Sequence, residues 1–216
     1  MRVAFFGGTF DPIHRGHLRL AAAAADAFAL DRVLFAPAGR QPLKPEPATA
    51  SFADRLAMVA LALAASPAGD PEPDPRFAVS ILDAPHPDGA PNYTVDTLDD
   101  LARQFPGATL FVLTGADSFL TLPRWRSPER LLSLAEWIVV SRPGSPLTPA
   151  FLDLPELAPL ALTPAQRARV RLLATVHEDV SASELRRRLR AHSEDPCADL
   201  LPPAVAAYIH THHLYR

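Results

Sequence analysis

Two histidines three residues apart, His14 and His17, close the string Gly7-Gly8-Thr9-Phe10-Asp11-Pro12-Ile13-His14-Arg15-Gly16-His17 near the start of this chain. Imidazoles donate hydrogen bonds to phosphate oxygens and, when protonated, add charge. Residues i and i+3 share a helix face, so both rings can address one bound group. Gly7 and Gly8 let a backbone turn and let a ligand approach closely. Types in this order suit the holding of a phosphorylated ligand where a strand turns into a helix, because free N–H groups and the positive helix end face an anion there. The spacing matches neither the P-loop, since no G-x-x-x-x-G-K-[ST] occurs, nor G-x-G-x-x-G. A lone histidine would read as a surface residue beside a tight turn; the complete string argues for a site.

Such a junction needs a strand before it and a helix after it. The apolar run Val3–Phe6 reads as a buried strand, and the alanine-rich segment Leu18–Phe28 has high helix propensity. Further along, strands are expected at Arg32–Pro37, Phe77–Leu82, Thr109–Leu113, Trp137–Val140 and Val170–Val176. Helices are expected at Ser51–Ala65 (Ser51 as N-cap, Asp54 at N3), Thr94–Gln104, Ser181–Ala191 and Pro203–His212. Residues 145–169, interrupted by prolines, carry only weak periodicity. Strands separated by helices imply an α/β, Rossmann-like fold: an open, mostly parallel sheet with helices on both faces. Residues 1–216 are expected to form one domain, with an α/β nucleotide-binding core over 1–178 and C-terminal helices over 179–216. Ligands then sit at the carboxyl ends of the strands, where strand order reverses.

The string from Gly7 to His17 resembles the signature of the nucleotidyltransferase superfamily with its His-x-Gly-His motif. Within it, the chain is most similar to the bacterial nicotinate-mononucleotide adenylyltransferases, with matching strings near residues 92–98, 114–126, 139–144 and 180–189. The resemblance implies direct transfer of AMP from ATP to the phosphate of nicotinate mononucleotide, with pyrophosphate leaving, in NAD biosynthesis. It implies that His14 and His17 contact the ATP phosphates, His17 being the stronger candidate for stabilising the transition state. Gly7, Gly8, Thr9, Phe10 and Gly16 would line the ATP phosphate region, while Asp11 and Pro12 shape the loop.

Other matches extend the implied site. Val180-Ser181-Ala182-Ser183-Glu184-Leu185-Arg186 resembles the family's Ile-Ser-x-Thr-x-Ile-Arg string, with Ser183 keeping the hydroxyl of the usual threonine. There Arg186 would grip the β- and γ-phosphates, since a guanidinium keeps its charge and binds two oxygens at once. Arg187, Arg188 and Arg190 read as a solvated face. In Gly39-Arg40-Gln41-Pro42-Leu43-Lys44, Leu43 replaces an expected histidine and leaves Lys44 as the phosphate ligand. Gly115 and Asp117 follow the fourth strand, and the resemblance implies that Asp117 binds ribose hydroxyls and that Arg142 lines the adenosine side mainly through its backbone. For the acceptor, Asn92-Tyr93-Thr94 resembles the family's Ser-Tyr-Thr helix start. Thr94 can cap that helix while its N–H meets the pyridine carboxylate, with Tyr93 beside it, and Trp125 can stack on the ring. Trp137 reads as core.

Composition narrows the alternatives. The 216 residues are 48% hydrophobic and 21% charged with a net charge of −3, which suits a globular protein and gives no basic excess for a nucleic-acid polymer. The one cysteine, Cys197, excludes an internal disulfide and fits a reducing compartment. Neither a secretory leader nor a membrane span is expected, so the cytoplasm is the default. The 24 prolines punctuate loops. His210, His212 and His213 suit a helix end more than a metal, and Asp99-Asp100 a solvated face. No fixed metal cage is expected: Mg²⁺ would arrive with ATP, held by phosphates and water. Rival readings are a transferase using nicotinamide mononucleotide or phosphopantetheine as acceptor, and a noncatalytic nucleotide-binding regulator. Nothing in the sequence reads on oligomeric state.

Overall fold

Strand β1 (Arg2–Gly8) runs through the interior of a six-stranded sheet in a computed structural model that describes residues 1–44, 46–64, 73–141, 148–173, 181–191, 197 and 200–216. The other strands are β2 (Arg32–Pro37), β3 (Phe77–Val79), β4 (Thr109–Gly115), β5 (Glu136–Val140) and β6 (Val170–Leu173). Their order is β3-β2-β1-β4-β5-β6 and every pairing is parallel. This is the Rossmann order, and it reverses between β1 and β4, which opens a crevice at their carboxyl ends. Val3 to Phe6 are all buried, as a central parallel strand covered on both faces requires.

Side chains alternate across that strand and feed two cores. Ala4 and Phe6 pack with Phe35 and Phe111 under α1 (Arg15–Ala27) and α2 (Phe52–Ala64). Val3 and Phe5 pack with Leu34, Val112 and Trp137 under α3 (Thr94–Gln104), α4 (Ala116–Leu120) and α5 (Pro128–Leu134). Beyond α6 (Pro164–Ala168), helices α7 (Ala182–Ala191) and α8 (Pro203–Thr211) add Leu185 and Ile209 to the first core. Ser51 caps α2 as expected, its Oγ accepting from the Asp54 N–H at 3.1 Å.

Several boundaries differ from the sequence reading, and each has a local cause. Gly7 and Gly8 complete β1 in place of making the turn. The left-handed residue is Phe10, at φ 48°. What Gly7 supplies is room, since a Cβ there would lie 2.7 Å from atoms of the Phe5 ring. Helix α1 starts at Arg15, three residues early, with His14 as its extended N-cap (φ −144°, ψ 169°). Strand β3 stops at Val79 because Ile81–Ala84 forms a turn, with Ser80 Oγ accepting from the Leu82 N–H at 3.3 Å. The extension of β6 to Val176 falls outside the described residues. Residues 149–160 form two proline-led 3-10 turns that bury Phe151, Leu152, Leu157 and Leu160 against the second core. The apolar positions of such short turns have no 3.6-residue period to read.

Candidate active site

Two cavities open at the carboxyl end of β1, and they share a wall. The larger, of about 1030 Å³, reaches from Phe10 and His17 across to Arg55 and to Ala182, Ser183 and Arg186 at the start of α7. The smaller, of about 370 Å³, lies among Gly7, Gly8, Asp83, Tyr93, Thr94, Asp117 and Trp125. Thr9, Gln41 and Lys44 line both. At that wall Lys44 Nζ donates to Thr9 Oγ1 at 2.8 Å, and Thr9 Oγ1 donates to Gln41 Oε1 at 3.3 Å.

The loop after β1 is braced from below. Buried Arg55 donates from Nη1 to the Thr9 carbonyl at 2.7 Å, from Nη2 to Ala38 at 2.9 Å and from Nε to Ala50 at 3.3 Å. Asp11, also buried, accepts from the N–H groups of Thr49 (2.7 Å) and Ala50 (3.1 Å) and from the Tyr215 hydroxyl (2.7 Å). Burial and its bond to Asp11 push the Tyr215 hydroxyl far above its ordinary pKa. Arg186 donates from Nη1 to the Asp11 carbonyl at 2.7 Å and from Nη2 to Ser183 Oγ at 3.2 Å. The start of α7 is thus pinned to the glycine–histidine loop 175 residues away, as in the expected pairing of Arg186 with the N-terminal motif.

The histidines divide their labour. Their rings stack at 3.7 Å, but only His17 lines the larger cavity; His14 is buried beneath it. Placing His14 at the N-cap, before the helix proper, turns its ring onto its neighbour. The His14 N–H donates to His17 Nδ1 at 3.3 Å. A neutral His17 therefore carries its proton on Nε2, free to donate toward a ligand oxygen. Burial lowers the His14 pKa to about 4, and burial with the adjacent His14 holds His17 well below its ordinary value. Near pH 7 both rings are neutral hydrogen-bonding groups. Positive charge comes instead from Arg186 and Lys44. Lys44, though exposed overall, has its pKa lowered by desolvation of the amine and then by Arg186 and Arg55, with Asp11 opposing.

The smaller cavity gathers the expected acceptor residues. Buried Asn92 accepts from the Arg40 N–H at 2.8 Å and donates to the Ala84 carbonyl at 2.7 Å, fixing where α3 begins. Tyr93 is the N-cap residue of α3, with no side-chain cap bond, and Thr94 is the first helical residue, so the Thr94 hydroxyl is not the cap. At the start of α3 the Asp96 and Thr97 N–H groups bond the Tyr93 carbonyl at 3.0 and 3.2 Å, while those of Thr94 and Val95 lie ahead of the first carbonyl the helix offers. Trp125 donates from Nε1 to Thr121 Oγ1 at 2.9 Å and meets buried Trp137 edge-on at 5.9 Å. Arg126 lies 4.6 Å over the Tyr93 ring and 3.7 Å from Asp96.

Other predicted residues fall as follows. Asp117 stands in the smaller cavity with Thr94 and Trp125, on the far side of the shared wall from His17 and Arg186. Gly16, in the first turn of α1, and Gly115, at the end of β4, line neither cavity. Arg142 lies outside the described residues. The sequence reading passed over Gln41, Arg55, Asp83 and Tyr215. Arg55 lay on an ordinary amphipathic helix, and Tyr215 lay 204 positions from its partner. Among the described residues, no three His, Cys, Asp or Glu side chains come together as a metal site, and no helix is long and apolar enough to cross a membrane.

A model of the cytidylyltransferase-like family matches residues 5–188. The probable nicotinate-nucleotide adenylyltransferase of Thermus thermophilus is 39% identical over 216 residues, covering all of both chains. That of Neisseria gonorrhoeae is 42% identical over 215 residues, covering 100% of this chain and 98% of its own length. Among solved structures, the nicotinic acid mononucleotide adenylyltransferase of Plasmodium falciparum complexed with NaAD superposes with a TM-score of 0.76 over 99% of this chain and 97% of that one. At 17% identity, that likeness bears on the fold.

Proposed function

The chain belongs to the cytidylyltransferase-like family, and from that premise we propose that it transfers the adenylyl group of ATP to nicotinate mononucleotide, giving nicotinate adenine dinucleotide and pyrophosphate, in NAD biosynthesis. The observation that carries this reading is the wall of Thr9, Gln41 and Lys44 common to two cavities. A transfer between two phosphorylated ligands needs one place where a phosphate of each can meet. The larger cavity, with His17, Ser183 and Arg186, suits the ATP phosphates. The smaller, with Thr94 and Trp125, suits a flat ring bearing an anionic substituent.

In this reaction an oxygen of the acceptor phosphate attacks the α-phosphorus, and the bond to the bridging oxygen breaks with its electron pair leaving on pyrophosphate. No protein nucleophile is required; alignment and charge stabilisation are. His17 would donate from Nε2 to a phosphate oxygen, Lys44 would reach across the shared wall, and Arg186 would hold the leaving phosphates. Phe10, Gly7 and Gly8 would shape the approach from the cavity walls, with Gly16 behind them in the first turn of α1, and the free N–H groups of α3 would meet the ring carboxylate. The Asp11 carboxylate accepts from three protein donors and has the Arg186 guanidinium 3.9 Å away, so we assign it no metal. Mg²⁺ bound to ATP would supply further charge neutralisation, carried by phosphate oxygens and water. Residues 1–216 would act as one unit, with Arg186 from the C-terminal helices completing the site, and the single buried Cys197 suits a reducing cytoplasm.

Pyrophosphate release from ATP, measured across a panel of acceptors, tests the assignment. Turnover with nicotinate mononucleotide is expected. The acid should exceed nicotinamide mononucleotide by at least about tenfold in kcat/KM, because an amide turns its NH₂ toward unpaired donors at a cost of roughly 1–3 kcal/mol. Turnover confined to phosphopantetheine, or none with any acceptor, would overturn the reading.

A further inference from the structure

We infer that Asp83 sets the acceptor preference, standing as a neutral acid that donates to the ring carboxylate of the acceptor and, once ionised, repelling that carboxylate while accepting from an amide. The inference rests on the pyridine-nucleotide reading of the smaller cavity and adds to it a residue that chooses the acceptor.

Asp83 is 8% exposed and lines the smaller cavity together with Thr94 and Trp125. Its backbone is fixed, the carbonyl accepting from the Gly39 N–H at 2.7 Å. The carboxyl itself is poorly supplied with donors. Among the described residues the Thr97 hydroxyl reaches Oδ1 at 3.4 Å, a weak bond, and the same hydroxyl lies 3.4 Å from the Tyr93 carbonyl. The charged and titratable groups around the cavity are Lys44 from the loop after β2, Tyr93 at the start of α3, Asp117 on α4, and Arg124 and Arg126 beyond it. Arg126 is already engaged with the Tyr93 ring and Asp96, and the Lys44 amine bonds Thr9.

A carboxyl buried without a cation or a strong donor favours its neutral form. Burial raises Asp83 to a pKa of about 7, against a small opposing effect of Thr97. The group therefore changes character within the working range of pH. Protonated, it offers one O–H to a carboxylate; ionised, it offers only lone pairs, which an amide NH₂ can use and a carboxylate cannot. Asp96, the acidic residue in the first turn of α3, is exposed and lies 3.7 Å from Arg126.

The test is the ratio of kcat/KM for nicotinate mononucleotide to that for nicotinamide mononucleotide, followed from about pH 6 to 8.5 in the full-length protein. The acceptor phosphate, ATP, the histidines and Lys44 titrate alike for both acceptors and cancel in that ratio. In the wild type it should fall by about tenfold or more as the pH rises, the change expected from one group titrating mid-range. Asp83→Asn keeps the size and a donor but cannot ionise, and its ratio should vary by less than about twofold. Thr97→Val removes the hydroxyl that favours the ionised form and should move the wild-type midpoint upward. A merely structural role would change both acceptors together and leave the slope of the ratio alone. A flat ratio in the wild type, or an unchanged slope in Asp83→Asn, would overturn the inference. Where Asp83→Asn does not fold, the wild-type slope and the direction of the Thr97→Val shift decide the matter. Absence of turnover with either pyridine acceptor would instead sink the reading on which the inference rests.

Discussion

The Tyr215 hydroxyl donates a 2.7 Å hydrogen bond to Oδ1 of Asp11, joining two residues 204 positions apart. The same Asp11 holds Arg186 through its carbonyl at 2.7 Å. Tyr215→Phe removes one bond to a buried acceptor, so stability should drop by about 1–2 kcal/mol in urea titrations. The KM for ATP should rise more than that for the acceptor, because the residue disturbed is the one on which Arg186 rests. Equal shifts in both KM values would count against this coupling.

Arg55 spends its guanidinium on three carbonyls, those of Thr9, Ala38 and Ala50. Arg55→Met would leave all three short of a partner in the interior and should cost about 3–5 kcal/mol. Arg55→Lys, with a point charge in place of a planar fork, should recover only part of that loss. Chemical denaturation of the three proteins side by side checks the order.

His17→Ala should lower turnover by at least about a hundredfold, the scale for losing one preorganised donor. The pair also makes stability depend on pH. The unfolded chain protonates its histidines near 6.5, whereas the folded protein holds His14 to about 4 and His17 well below its ordinary value. Between those values the unfolded state binds more protons, so stability falls as pH drops from 6.5 toward 4, by at most about 1.4 kcal/mol per pH unit per ring. Above 6.5 both states are neutral and this dependence vanishes. Urea midpoints at neutral and acid pH, compared with those of His14→Gln, should show a shallower acid slope in the variant.

Arg186 and Arg188 lie two residues apart but serve different partners. Arg186 faces the larger cavity, and Arg188 pairs with Glu184 at 2.8 Å on the outer face. Arg186→Lys should raise the KM for ATP by roughly tenfold, in keeping with about 1.5–3 kcal/mol for a charged hydrogen bond. Arg188→Lys should stay within about twofold, as an exposed pair contributes little. Equal effects at both positions would return Arg186 to the solvated face.

Much of this architecture was legible because its signals are local. The run Val3–Phe6, the Ser51 cap and the start of α3 each follow from neighbouring residues. The short helices α4 and α5 and the turns over 149–160 were not, since a single turn presents no repeating apolar face. In the site, the glycine–histidine string named its own region, and family resemblance brought in Arg186 and Thr94. Asp83, Arg55 and Tyr215 escaped because their roles come from what the fold lays beside them: a carboxyl without a cation, three stray carbonyls, a distant aspartate. Gly7 and Gly8 show the reverse error, where a residue type suggested a turn and the strand used the space for the Phe5 and Phe10 rings.

The site also joins parts of unequal permanence. Strand β1 has paired neighbours on both sides and four buried residues, whereas α7 buries only Leu185 among its described residues. Amides of β1 should then exchange with deuterated solvent only when the whole domain opens, while those of α7 can exchange through smaller openings. A nucleotide clamped between them would slow exchange in α7 and leave β1 unchanged. Deuterium uptake could therefore report which parts of the site a ligand holds together, without any turnover being measured.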